Sequence, residues 1–500
     1  MMSERICLLN DSFPPIIDGV ANAVVNYATH IQARHGQAVV MTPAHPEADD
    51  SGFAFPVVRY PSIDLRKQVG YMAGTPFSPE IARYLQENPV DLLHTHCPVA
   101  STILARSVRH IANAPVVFTY HTKFDIDIAK AVRSKLLQEG AIKALVQNIA
   151  ACDEVWVVSR GAGENLRSLG YTGDYLVMPN GVDVPRGRVS EEAIAAATAD
   201  YDLPAGVPVF LFVGRMMWYK GIRIILDALA ALQEKGVDFR MVFIGKGTDE
   251  QEIRDYAAQQ GLNDRCFFTG AIYDRDVIRA WYCRGDLFLF PSTFDTNGLV
   301  VREAAACGLA SVLVRGSCAA EDVTEDENGF LIEENADSLC ARLEALVQRP
   351  DAMHTVGENA MAQLYLSWQD SVANAFARYQ VVIDRYQSGA YDSHDKLPDE
   401  VYARAGEWMN ALQRAGSLGE KLQEGAGQVL EQTRQTIEQT IERTKQNAEN
   451  AIERTKQSAE NAIERTRQNA EKRIGQAMQE NQDRAQHAYE AFWEQMDRYL

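Results

Sequence analysis

The chain has 500 residues, 46% of them apolar, with 68 acidic against 49 basic side chains and a formal net charge of -19. That length can bury at least two cores. The acidity excludes nucleic acid as the main partner, because no long basic stripe in the first 390 residues offsets it.

The amino terminus runs from Met1 through Arg5 directly into the strand-like Ile6 to Leu9, without a basic region and long apolar core of a secretory signal. No stretch approaches the roughly 20 apolar residues of a membrane span. A cytoplasmic chain is expected, peripheral on the inner face of the cell membrane if it touches lipid. The eight cysteines (Cys7, Cys97, Cys152, Cys266, Cys283, Cys307, Cys318, Cys340) are scattered with no C-x-x-C, as expected of reduced thiols.

Short apolar runs then alternate with segments of helical period. Ile6 to Leu9, Ala38 to Thr42, Leu92 to His94, Val116 to Tyr120, Glu154 to Val158 and Leu176 to Met178 are the predicted strands of a first half. Val209 to Val213, Arg240 to Ile244, Cys266 to Phe268, Leu287 to Phe290, Ser311 to Val314 and Gly329 to Ile332 are those of a second. Strands alternating with helices give an α/β chain with two doubly wound parallel sheets, whose ligands bind beyond the carboxyl ends of the strands. The predicted boundaries are 1–184 for the first domain, 185–366 for the second, 367–387 for a helix crossing back, 388–399 for a polar linker and 400–500 for a helical tail. The inter-domain linker is placed near Gly181 to Pro208.

In the tail, Ile441-Glu-Arg-Thr-Lys-Gln-Asn-Ala-Glu-Asn-Ala451 recurs from Ile452 and again from Ile463, an 11-residue repeat. Eleven residues make about three helical turns, so Ile, Ala and Thr keep to one stripe. With Lys445, Lys456 and Arg467 beside that stripe, and Trp408, Phe492 and Trp493 near its ends, the helix could lie on a membrane surface. An 11-residue coiled-coil core, giving a homo-oligomer, is the competing reading.

Four segments carry candidate chemistry. Asp18-Gly19 follows the first strand and opens a helix, where Gly19 permits a phosphate to approach the backbone, although the full G-x-G-x-x-G pattern is missing. Thr119-Tyr-His121-Thr ends a strand at the cleft, so His121 could bond a sugar hydroxyl. His94 and His96 are expected to alternate faces of their strand and not to share a metal, and Asp125-Ile-Asp127 lacks a third metal ligand. Gly214-Arg215 through Lys220-Gly221 sets two cations five residues apart after a strand, able to clamp a diphosphate as fork and point charge.

The fourth segment is Phe290-Pro-Ser-Thr-Phe-Asp295-Thr-Asn-Gly298 to Glu303. A buried strand stops at Pro291, and Gly298 opens a helix whose first amides lack internal partners and can receive an anion. Asp295 before that start and Glu303 inside it could accept hydroxyl bonds on either side of a phosphate. A loop Asp is often only a helix cap, and a first-turn Glu only a dipole partner.

These segments, with Pro179-Asn180-Gly181-Val-Asp183, together resemble the retaining glycosyltransferases of family 4 over about residues 5 to 387. The resemblance implies the GT-B fold, two Rossmann-like domains facing a cleft, with a nucleotide-diphosphate-sugar donor and no cofactor or obligatory metal. It puts Arg215 and Lys220 on the diphosphate, Glu303 on the ribose, Asp295 on the donor sugar, and the amides of Gly298, Leu299 and Val300 near phosphate and sugar. Gly19 would also approach the phosphates and His121 would meet the hexose, making His121, Asp295, Arg215 and Lys220 the expected catalytic set. The wording is similar to that of members that glycosylate diacylglycerol-type lipids, which implies a lipid acceptor and UDP-hexose ahead of GDP-hexose. The runner-up is a soluble or polymeric saccharide acceptor, and an inactive scaffold is the third reading. The family usually carries Glu where this chain has Asp295, one methylene shorter and so about 1.5 Å back.

Overall fold

The computed structural model describes residues 4–16, 18–64, 66, 72–124, 128, 135–391 and 399. The Asp125/Asp127 pair and the repeat-bearing tail lie outside them. Among the described residues no helix is long and apolar enough to cross a membrane.

Among the described residues fifteen strands are formed. Those of the first half are β1 (Arg5–Leu9), β2 (Gln37–Pro43), β3 (Val57–Tyr60), β4 (Ser62–Asp64), β5 (Met72–Gly74), β6 (Leu92–Thr95), β7 (Val116–Tyr120), β8 (Glu154–Val157) and β9 (Leu176–Val177). The second half holds β10 (Val209–Val213), β11 (Arg240–Ile244), β12 (Cys266–Gly270), β13 (Leu287–Phe290), β14 (Ser311–Val314) and β15 (Phe330–Ile332). Two parallel sheets result, ordered β3-β2-β1-β6-β7-β8-β9 and β12-β11-β10-β13-β14-β15. Each has its chain reversal beside its first strand, between β1 and β6 or between β10 and β13, where crossovers to opposite sides leave a crevice at the carboxyl edge.

Burial explains the parallel pairing. The strands β7, β10, β11, β13 and β14 are buried at every position, so both faces need helices and the apolar runs are continuous. The second core centres on Phe210, Phe212, Phe243, Phe288 and Phe290. The first sheet has a core on each face, one around Leu93, Phe118 and Tyr120 and the other around Ile6, Leu8 and Trp156.

That last face is closed by the helix Trp368–Gln387, capped by the Ser367 hydroxyl on Asp370 N. Its Trp368, Val372, Ala375 and Tyr379 enter the core that holds Ile6, Tyr27 and Trp156. The end of the chain's second half is thereby built into the first. Farther on, Asp399 is buried against Arg106 and Arg109, at 2.6 Å from each.

Several expectations change. The segment expected as linker contains a helix, Glu191–Thr198, with Ser190 capping it and Ile194 buried. Strand β3 and the antiparallel pair β4–β5 were not expected. His94 and His96 do not alternate: side chains two apart share a strand face, and their ring centroids lie 4.0 Å apart. All eight cysteines are free, with Cys97 and Cys318 partly exposed and the others buried.

Candidate active site

Beyond the carboxyl end of β10 the chain turns through Gly214 and Arg215 into a short turn of helix, Trp218–Lys220. Gly221 ends that turn at φ 77°, and a β-carbon there would lie 2.2 Å from the Pro291 carbonyl oxygen. Only glycine lets the cation loop come this close to the end of β13. The closeness brings Lys220 Nζ to 2.5 Å from Asp295 Oδ1.

The Lys220 side chain is only 7% exposed. Burial lowers its pKa, and the Asp295 carboxylate opposes that shift. An ammonium carries three donors, so two remain after Asp295 takes one. Arg215 is exposed, with its guanidinium 5.7 Å from the centre of the Tyr219 ring. The second oxygen of Asp295 accepts the Ser292 hydroxyl at 2.5 Å. Asp295 therefore caps nothing; both its oxygens are held by side chains of its own domain.

The helix Leu299–Ala306 starts at Gly298, which sits at φ 59° and makes no side-chain cap. A β-carbon on Gly298 would meet that of Ala319 at 2.8 Å, so both the turn and the packing demand glycine. The amides of Leu299 and Val300 thus start a helix without a capping side chain, the arrangement that binds anions. One turn on, Glu303 accepts the Tyr282 hydroxyl at 2.9 Å. Burial raises the Glu303 pKa, which the Tyr282 bond partly offsets.

The first domain brings Gly19 and His121 to the same region. Gly19 is exposed with open space around it, while Asp18 takes the amides of Val20 and Ala21 at 2.8 Å each. His121 lies just beyond β7 and is 6% exposed. Both of its ring nitrogens are engaged, Nε2 with His96 Nδ1 at 2.9 Å and Nδ1 with the Asn180 amide at 3.4 Å. Burial pulls its pKa down to about 3, so the ring is neutral. An imidazole so occupied is a strut between Asn180 and His96, and a hexose would have to displace one partner to bond it. Behind it His94 is bonded to the Tyr379 hydroxyl at 2.6 Å and to Thr119 Oγ1 at 2.7 Å.

The two domains meet across this region. Thr296 donates its hydroxyl to the His121 carbonyl at 2.7 Å and accepts the Ser159 hydroxyl on its own carbonyl at 2.5 Å. Glu321 accepts the amides of Arg160 and Gly161 at the start of the helix Arg160–Ser168. Lys123 Nζ reaches the Thr293 carbonyl at 3.3 Å. Ser159, Ser292, Thr296 and Tyr282 were not singled out in the sequence. Ser292 and Thr296 lie within the Asp295 segment, so proximity was the available signal.

Two family models cover this architecture, "Glycosyltransferase Family 4" over residues 17–186 and "Glycosyl transferases group 1" over 195–363. The chain is a GT-B glycosyltransferase of this group 1/family 4 type. Among its relatives is the alpha-monoglucosyldiacylglycerol synthase of Streptococcus pneumoniae, 24% identical over 364 residues, covering 71% of this chain and 81% of that one. Another of the same description, from Acholeplasma laidlawii, is 24% identical over 369 residues, 71% of this chain and 91% of the relative. In fold, this glycosyltransferase is similar to Anabaena HepE in complex with UDP, with a TM-score of 0.60 at 20% identity over 76% of this chain and 99% of that one.

Proposed function

We propose that this glycosyltransferase moves a hexose from a nucleotide-diphosphate-sugar to the hydroxyl of a membrane lipid of the diacylglycerol class, with retention of configuration. The observation that carries the reading is the grouping of Lys220, Asp295 and an uncapped helix start at the carboxyl edge of the second sheet. Relatives named for diacylglycerol glucosylation support the acceptor class, and HepE structures titled with UDP and with UDP-glucose support a uridine donor.

In this reading Arg215, the two remaining donors of Lys220 and the amides of Leu299 and Val300 hold the diphosphate. Glu303 takes a ribose hydroxyl. The bond from the anomeric carbon to the diphosphate oxygen breaks while a bond to the lipid oxygen forms on the same face, and the lipid hydroxyl proton passes to the departing phosphate oxygen. Positive charge and helix amides stabilise the phosphate as its charge grows, the kind of preorganised electrostatics that dominates catalysis. Asp295, fixed by Lys220 and Ser292, accepts from the sugar at an edge of its carboxylate instead of attacking it. No metal or cofactor has a role in this scheme. The tail, residues 400–500, is proposed to hold the enzyme at the membrane surface, and flotation of the full chain with anionic vesicles tests that.

The decisive assay incubates the full chain with UDP- and GDP-hexoses and diacylglycerol in mixed micelles, reading products by mass spectrometry and the anomeric configuration by NMR. An α-hexosyl lipid is expected. Transfer only to soluble saccharides would install the runner-up acceptor, and no turnover of any donor would indicate a scaffold.

A further inference from the structure

We infer that Thr296 is a positioning residue for the transfer step, fastening the loop that carries Asp295 to the opposite domain. The inference rests on the reading that Asp295 meets the donor sugar. Two bonds from one residue make the fastening. The Thr296 hydroxyl donates to the His121 carbonyl at 2.7 Å, and the Thr296 carbonyl accepts from Ser159 Oγ at 2.5 Å.

Both partners are held firmly on the first domain. Ser159 caps the helix Arg160–Ser168, its oxygen accepting from Ala162 N at 3.0 Å while its proton goes to Thr296. One hydroxyl thus serves both purposes, and it is 6% exposed. His121 follows β7 directly, and its ring is tied on both sides by His96 and Asn180. Its carbonyl therefore points from a rigid base.

On the second domain the neighbouring Asp295 has each carboxylate oxygen bonded, to Lys220 and to Ser292. The side chain of Asp295 is thus set by one domain and its main chain, one residue on, by the other. A carboxylate one methylene short of the family's usual Glu has less reach to correct a misplaced backbone. Displacement by about 1 Å at such a position can cost on the order of 100-fold in rate. Thr296 makes correct placement conditional on the two domains being joined.

The test compares Thr296→Val with Thr296→Ser in the full chain. Amide exchange over residues 293–300 is measured without any ligand. Losing one hydrogen bond corresponds to roughly a tenfold faster exchange, expected in Thr296→Val, confined to that segment and absent in Thr296→Ser. Kinetics with UDP-glucose and diacylglycerol micelles, and UDP binding by calorimetry, then separate placement from affinity. Thr296→Val is expected to lower kcat by about 10- to 100-fold, with the UDP dissociation constant within twofold of wild type and Thr296→Ser within about threefold of wild-type kcat. Unchanged exchange in Thr296→Val, or a Thr296→Ser as slow as Thr296→Val, would overturn the inference. Asp295→Asn reports separately on the sugar contact: full turnover there removes that contact, whereas the exchange result still judges the fastening.

Discussion

The two sheet domains build their halves of the cleft in opposite ways. The second uses charge: Arg215, Lys220, Asp295 and Glu303 all lie within two segments, each running from a strand end into a helix. The first uses neutral, buried hydrogen bonds between residues far apart in the chain, joining His94 to Tyr379, His96 to His121 and His121 to Asn180. A charged site can be packed into one loop because helix starts and cations are local features, whereas a network of buried neutral groups needs partners from several strands. The second domain is thereby suited to hold an anionic donor and the first to present a rigid wall to it.

Breaking the charged half should have the largest effect. Lys220→Ala removes the cation proposed to meet the diphosphate and leaves Asp295 without its charged partner, so kcat is expected to fall by about 100- to 1,000-fold, the cost of removing one preorganised donor. Arg215→Ala, at an exposed position, should cost less, about 10- to 100-fold. Steady-state kinetics with UDP-glucose reads both, and normal turnover in either would remove that residue from the diphosphate.

Acid should separate the halves next. His121, and by the same burial His94 and His96, have folded pKa values below the ordinary 6.5. The unfolded chain then binds more protons than the folded one, so their contribution is present above pH 6.5 and is lost as pH falls towards about 3 for His121. Across that window His121 costs about 1.4 kcal/mol per pH unit. Glu303 has the opposite sign, because its raised pKa adds stability below the unfolded carboxylate value and removes it as pH rises. Amide exchange at pH 7 and pH 5 should show β6 and β7 loosening while β13 and β14 hold; equal loosening of both sheets would contradict the asymmetry.

A smaller effect is expected at the proposed ribose contact. Glu303→Gln should raise the donor KM about tenfold with little change in kcat, as loss of a charge-assisted bond felt equally in ground and transition state. Tyr282→Phe removes only the bond that orients Glu303 and should raise KM by about threefold.

The same contrast governs what could be read from the chain. Val116 to Tyr120, Val209 to Val213, Arg240 to Ile244, Leu287 to Phe290 and Ser311 to Val314 coincide with observed strands, because fully buried parallel strands are continuous apolar runs. Strand β3, with Val57 and Val58 only half-buried between Pro56 and Pro61, has no such run. The association of Asp295 with a helix start was legible from Pro291 and Gly298, since both restrict the backbone locally. What was not legible is long-range. Nothing near His121 in the chain announces His96, 25 residues away, or Asn180, 59 residues away. The Lys220–Asp295 bond spans 75 residues and depends on Gly221 lying against Pro291, a contact that only the folded sheet creates.

Asp295→Glu tests whether the shortened carboxylate is tuned to its partners or merely tolerated. Adding a methylene advances the oxygens by about 1.5 Å, past the positions where Lys220 Nζ and Ser292 Oγ now reach them at 2.5 Å. If the loop stays fastened through Thr296, the longer side chain must bend back or give up one of these bonds. Loss of one hydrogen bond to a charged group, partly recovered by a new contact with the sugar, predicts a fall in kcat/KM of about 3- to 10-fold for the native hexose. Hexoses that differ in the hydroxyl facing Asp295 should be affected unequally, because rejection of a sugar depends on which buried polar groups it leaves unpaired. The ratio of kcat/KM between UDP-glucose and UDP-galactose, measured for both proteins, reads this directly. A ratio that stays constant while both rates fall would mean that residue 295 sets the position of Lys220 and has no part in choosing the sugar.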